Sequence, residues 1–149
     1  MQSPIGTIGV AANDKAVTRL FFGEDIPKEG FVRGSNAVTD EALRQLGEYF
    51  AGSRRTFDLP LAPAGTEFQR KVWDALMRIP YGSTNTYTGV AAAVGSPKAC
   101  RAVGSANNRN PIAIIIPCHR VIGADGSLTG YAPGTGIKKI LLELEKAGA

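Results

Sequence analysis

The stretch Ile112-Ala113-Ile114-Ile115-Ile116-Pro117-Cys118-His119-Arg120-Val121 governs how this chain is read. Its unbroken apolar run over 112–116 reads as a buried strand. A cysteine at the end of such a strand is held rigidly at the mouth of a pocket, and here the chain's one histidine stands beside it. A thiol attacks carbon poorly until it loses its proton, and an adjacent imidazole and guanidinium favour the thiolate. A buried cysteine can equally be a small hydrophobe with no chemistry. The surrounding residues decide between the two.

With 149 residues, 44% hydrophobic and 20% charged, the chain has the composition of an ordinary soluble globular protein with one good core or two small ones. Two cysteines, Cys100 and Cys118, make no disulfide framework, and no spacing matches a zinc-ligand pair. A reducing interior, no metal and no cofactor are therefore expected. The longest apolar stretch is far too short to cross a bilayer, and the first residues are already strand-like rather than a targeting segment, so no membrane partner and a cytoplasmic location are expected. Charge is unevenly placed. Residues 1–63 carry seven Lys/Arg against eight Asp/Glu, whereas residues 64–149 carry ten against five. A basic second half fits either a solvated surface or a polyanionic partner.

Residues 7–10 and 17–22, with Asn13-Asp14 between them, read as a β-hairpin. From Asn36 to Phe50 the apolar positions Val38, Ala42, Leu43, Leu46, Tyr49 and Phe50 form a helical stripe closed by Gly52. A short extended piece follows at 57–61, and Pro60, Pro63 and Gly65 mark a boundary between residues 1–63 and 64–149. The second part opens with Thr66-Glu67-Phe68-Gln69, a capping box for a helix running to about Ile79 with Phe68, Val72, Trp73 and Leu76 inward.

Residues 86–94 read as a short alanine-rich helix ended by Gly95. Ser96-Pro97 then supplies a cap and a first-turn proline for a second helix to about 107. Such a pair is a helix-turn-helix or a hairpin used only for packing. The second helix presents Ala99, Cys100, Ala102, Gly104, Ser105 and Ala106 with Arg101 as its long cation. Small side chains permit close approach to a narrow groove, and an arginine among them can fill the space left by an extruded base. Cys100 is expected to be structural.

This order of helix-turn-helix, Asn110-Pro111, isoleucine run and Pro117-Cys118-His119-Arg120-Val121 resembles the O6-alkylguanine-DNA alkyltransferases. The resemblance covers residues 66–145 nearly continuously, and the hairpin within 3–22 resembles the start of the family's N-terminal domain. It implies an α/β (α+β) chain: a small ribonuclease H-like sheet and helix domain, then a mostly helical, winged-helix-like domain that binds DNA and carries catalysis. It also implies direct repair of double-stranded DNA containing O6-alkylguanine, bound through the minor groove by a monomer. A guanine is flipped out and its O6-alkyl group, or the O4-alkyl group of thymine, moves once and irreversibly onto Cys118.

By that resemblance His119 is the base, Glu145 orients it and Asn110 braces the active-site turn. Tyr87 donates to the departing guanine, Tyr131 walls the alkyl pocket and Arg101 is the finger. Main-chain groups of Cys118, Val121 and Ala132 read the guanine edge, while Ala102, Gly104 and Arg120 complete the substrate and DNA surface. Taken without the resemblance, Glu145 is a solvated residue near a helix C-terminus, where a negative charge is mildly unfavourable. Two places depart from the family's pattern: the run Ala132-Pro133-Gly134-Thr135-Gly136, whose proline stiffens the loop, and Thr88 after Tyr87. The family's optional N-terminal zinc site has no ligands here.

Three other readings stay open at the level of residues. A non-catalytic module could recognise alkyl lesions without transfer, although recognition alone needs no cysteine. A Cys-His-Glu hydrolase would turn over repeatedly, and a helix-turn-helix regulator would show a sequence-dependent DNA preference.

Overall fold

A computed structural model describes residues 1–28, 34–128 and 130–148. The chain divides into two compact units, Met1–Ala64 and Gly65–Ala149. The mixture of a small sheet-and-helix unit with a helical one is the α+β arrangement expected from the sequence.

In the first unit, β1 (Gln2–Ser3), β2 (Gly6–Ala12) and β3 (Val17–Phe22) form an antiparallel sheet in that order. The β2–β3 hairpin pairs Ile8 with Phe22 and Val10 with Leu20. Asn13 closes its turn, the side-chain oxygen accepting from the backbone N–H groups of Lys15 and Ala16 at 2.8 Å each, which is what makes an Asn effective there. Helix α1 (Ala37–Phe50) starts at a reciprocal capping box: Asn36 accepts from Thr39 N, and the Thr39 hydroxyl accepts from Asn36 N, both at 2.9 Å. Its inward face, Ala42, Leu46 and Tyr49, joins Ile8, Val17 and Leu20 of the sheet in the core. The extended piece anticipated at 57–61 contributes a single parallel bridge, Leu61 to Val17.

The second unit opens as its sequence indicates, with Thr66 and Gln69 capping α2 (Glu67–Met77) reciprocally at 3.1 and 2.9 Å. Val72, Trp73 and Leu76 are buried, and the Trp73 indole N–H donates to Ala106 O at 2.9 Å, tying α2 to α4 (Cys100–Asn108). Between them lie β4 (Asn85–Thr86) and α3 (Tyr87–Ala93), whose N-cap is Thr86. Then follow β5 (Val121–Ile122), parallel to β4, and α5 (Thr135–Gly148).

Three expectations fail locally. Residues 112–116 are fully buried but form no strand: they fold into tight turns, with Ile115 N bonded to Ala113 O and Ile116 N to Ile112 O. Ile114 takes a left-handed φ of 73°, which is costly for a β-branched residue. A five-residue apolar run reports burial, and burial does not distinguish a strand from a packed turn. Second, α4 begins at Cys100, three residues later than Pro97 suggested. Proline's fixed φ also suits a β-turn, and Ser96 to Ala99 is such a turn, closed by Ala99 N to Ser96 O at 2.9 Å. Third, Ala106 is not on the outer surface of α4; with Val103 and Asn107 it forms the buried face.

Candidate active site

The turn Cys118–Arg120 is a single 3-10 turn, and this puts three consecutive functional side chains on different partners. Cys118 is 3% exposed. Its backbone is pinned from both sides, Cys118 N donating to Ile116 O at 2.8 Å and Asn107 Nδ2 donating to Cys118 O at 3.3 Å. Asn110 clamps the preceding turns: its Nδ2 donates to Ile116 O at 2.8 Å and its Oδ1 accepts from Ile112 N at 3.0 Å. One side chain thus spans both ends of the strained segment and fixes where the sulfur stands.

His119 is fully buried and its Nε2 meets Glu145 Oε2 at 2.6 Å. Glu145 is 1% exposed, far from the solvated residue it would be by position alone. Arg120 grips the same carboxylate, Nε to Oε1 at 2.8 Å and Nη2 to Oε2 at 3.0 Å, while its Nη1 donates to Ile79 O at 2.7 Å. The guanidinium, expected at the DNA surface, is committed inward instead, and its work is to hold Glu145.

Charge logic follows from these contacts. Burial pulls the His119 imidazole below its ordinary value, against the raising effect of Glu145. The ring is therefore neutral near pH 7. A carboxylate only accepts, so the neutral ring carries its proton on Nε2 and leaves a lone pair on Nδ1. That Nδ1 is buried and has no hydrogen-bond partner among the described residues. Burial pushes the Cys118 thiol up to about 11, against the opposing pull of Asn110, the Lys138 charge and the Tyr131 hydroxyl. The resting sulfur is a thiol, with a free base in the same turn.

The remaining candidates fall into two groups. Tyr87, at the first position of α3, and the buried Tyr131 both lie near Lys138, whose Nζ is 6.0 Å from one ring centroid and 5.9 Å from the other. Burial raises the Tyr87 hydroxyl above its usual value, and the Cys118 charge adds to that. Gly130 has φ +84° and a Cβ there would come within 3.1 Å of the Tyr87 hydroxyl, so glycine serves both the backbone and the space. A Cβ on Gly104 of α4 would touch the Tyr87 ring at 4.0 Å. Val121 is buried and Ala132 exposed. Arg101 and Ala102 lie exposed on α4, away from the buried Val103 face, and Arg101 makes no ion pair among the described residues.

Two residues of this cluster escaped the sequence reading. Neither Asn107 nor Lys138 is singled out by the sequence. Lys138 shares the inward face of α5 with Leu141 and Glu145, at intervals of three and seven residues, and that spacing was the available signal. Nothing in the sequence marks Asn107.

A buried thiol in one turn with an imidazole that a carboxylate holds is an arrangement able to form a covalent bond at sulfur. The family profile described as "6-O-methylguanine DNA methyltransferase, DNA binding domain" matches residues 67–147, and that of the "ribonuclease-like domain" matches residues 1–63. The chain belongs to this family. Among its relatives is the methylated-DNA--protein-cysteine methyltransferase of Methanosarcina barkeri, 54% identical over 98% of this chain and 94% of that protein. The constitutive enzyme of the same name from Bacillus subtilis is 49% identical over 97% and 92%. The crystal structure of Mycobacterium tuberculosis OGT in complex with DNA superposes with a TM-score of 0.92 at 47% identity, covering all of this chain and 92% of that one.

Proposed function

We propose that this protein repairs alkylated DNA directly, moving an alkyl group from O6 of a flipped guanine, or O4 of thymine, onto Cys118 in one irreversible step. The observation that carries this reading is the Cys118–His119–Glu145 arrangement: a rigid sulfur, a neutral imidazole with one nitrogen open, and a carboxylate held by two partners. The second unit supplies both DNA binding and chemistry.

The step balances as follows. His119 Nδ1 takes the thiol proton, directly or through one water, while Glu145 stabilises the imidazolium that results. The sulfur pair attacks the alkyl carbon in line, forming S–C as C–O6 breaks, and the bond electrons leave with guanine. Tyr87, kept protonated by its raised pKa, gives its proton to the departing base. A thioether is not hydrolysed under mild conditions, so each molecule acts once. Asn110 and Arg120 position the sulfur and the carboxylate, and Tyr131 bounds the alkyl pocket.

The lesion is hidden inside a duplex until the base leaves the stack, at a cost of a few kcal/mol. Exposed Arg101 fills the space vacated, and the small surface of Ala102 and Gly104 lets α4 approach the minor groove. Main-chain groups of Cys118, Val121 and Ala132 meet the guanine edge; Val121 O keeps one lone pair for this beside its bond to Lys138. The protein acts as a monomer. A reducing compartment such as the cytoplasm suits the two free thiols; no helix among the described residues is long and apolar enough to cross a membrane.

Mass spectrometry after incubation with an O6-methylguanine duplex tests the proposal. One methyl group gained on Cys118, with none on a Cys118→Ser chain that still binds the duplex, is the expected result. An unchanged mass beside a persistently methylated duplex refutes it.

A further inference from the structure

The segment that follows α2 meets the buried Arg120–Glu145 pair at three points. Ile79 O accepts from Arg120 Nη1 at 2.7 Å, and Gly82 N approaches Glu145 Oε1 at 3.5 Å. Between them lies the Tyr81 ring, its centroid 5.8 Å from the guanidinium carbon of Arg120. A tight turn keeps the segment in shape: Ser83 N donates to Pro80 O at 3.0 Å, and Gly82 has φ +77°, which glycine adopts without strain. The far end of Tyr81 rests on the last turn of α5, where a Cβ at Gly148 would come within 2.5 Å of the hydroxyl oxygen. Gly148 follows Glu145 by three residues, on the same side of that helix. Tyr81 thus reaches from the guanidinium to the end of the helix that carries the carboxylate.

The edge of the guanidinium is committed to Glu145 and Ile79, which leaves its faces. A planar cation attracts an aromatic ring within about 6 Å of the centroid, and a ring in that place also keeps water off. The pair is nearly dry: Arg120 is 7% exposed and Glu145 1%. We propose that Tyr81 is a positioning residue for alkyl transfer, its ring closing the Arg120–Glu145 pair off from water so that the carboxylate holds His119 in one orientation. This rests on the reading of His119 as the base for Cys118. Without the ring, solvent reaches the guanidinium and screens its hold on the carboxylate. The charged groups acting on the imidazole are Glu145, which favours its protonated form, and Arg120 and Lys138, which oppose it, with the Cys118 thiol beside them in the turn. Burial is the largest influence on that ring and pulls its pKa down. Water admitted at the pair therefore moves the His119 midpoint up, toward the ordinary histidine value. No proton passes to or from Tyr81.

The test uses the full chain with Tyr81→Ala and Tyr81→Phe. The sequence holds one histidine, so its Cε1–H resonance titrates His119 alone. The first-order transfer rate at saturating O6-methylguanine duplex and the duplex Kd are measured beside it. Tyr81→Ala should raise the histidine midpoint by about one pH unit and slow transfer by about tenfold or more, with Kd unchanged. Tyr81→Phe, which keeps the ring, should return the midpoint and most of the rate. A folded Tyr81→Ala chain with the parent's midpoint overturns the proposal, whatever its rate, because a merely structural role leaves that midpoint in place. A Tyr81→Phe chain that behaves as Tyr81→Ala overturns it as well. Should Tyr81→Ala not fold, Tyr81→Leu decides, since it keeps apolar bulk but offers no ring. Its Arg120 Nε–H proton should exchange with water about tenfold faster than the parent's, and an unchanged exchange rate refutes the shield. The histidine titration needs no DNA, so a shifted midpoint in a chain that never takes a methyl group from the duplex would sink the repair reading and leave the shield standing.

Discussion

On α1, Arg44 bridges Glu41 at 2.5 Å and Glu48 at 3.1 Å with all three side chains in solvent, whereas in the second unit Arg120 holds Glu145 at 2.8 and 3.0 Å with almost no solvent reaching either. The pairs are chemically alike. Arg44 pulls the Glu41 carboxyl down to about 2, yet water and salt screen that attraction and two long side chains must be ordered to make it. Around Glu145 the screening is gone, so any unpaired charge there is expensive, and the carboxylate is satisfied from three directions: His119, Arg120 and, weakly at 3.5 Å, Gly82 N. The difference is a matter of placement. An ion pair in water decorates a helix, while one in the interior fixes the direction of the His119 ring.

The sharpest break of this contrast is Glu145→Ala. It strands the Arg120 charge and frees the imidazole, so transfer should fall by about 100-fold or more and stability by about 3–5 kcal/mol, read by single-turnover assay and urea melt. A double change, Glu145→Leu with Arg120→Met, sharpens it. Removing both charges together should recover much of the lost stability but none of the transfer rate; recovery of both would show that the carboxylate is only structural.

Acidity separates the two networks further. His119 has a lowered pKa, so the unfolded chain binds its proton first and stability should decline as pH falls below the ordinary histidine value of 6.5. Cys118 has the opposite sign: the folded chain keeps its proton, so stability should decline as pH rises from 9.0 through about 11. Melts across this range should show a plateau between those limits, and a Cys118→Ala chain should lose the decline that starts at 9.0, leaving the smaller one above 10.0 that the raised Tyr87 hydroxyl contributes.

Arg101 is a third kind of arginine, exposed and unpaired among the described residues. Arg101→Ala should slow repair of duplex by about tenfold or more, since flipping costs a few kcal/mol, and leave reaction with the free alkylated base and the Tm unchanged. Equal losses on both substrates would remove its role as a finger. The smallest effect belongs to Glu41→Gln, which should leave both Tm and transfer where they are.

Legibility in the sequence followed the range of the interactions. Local devices could be read directly: the Thr66 cap and the Asn13 hairpin turn depend on residues within three or four positions of each other. Where two local structures share one signal, reading failed. Ser96-Pro97 serves a turn as well as it would a helix start, and the isoleucine run is packed turn rather than strand. In the site, Cys118 and His119 are announced by their adjacency. Glu145 carried only the hint of a charge misplaced on its helix, because its partners are 25 and 26 residues away. Asn107 looks unremarkable in one dimension, and Lys138 is marked there only by its spacing from Leu141 and Glu145 along α5.

Among the described residues, the side chains bonded at Ile116 and at the 118–120 turn, Asn107, Asn110 and Glu145, belong to the second unit, which begins with its own cap at Thr66 and has its own core. What surrounds the sulfur is thus assembled by the folding of one compact unit around its own interior.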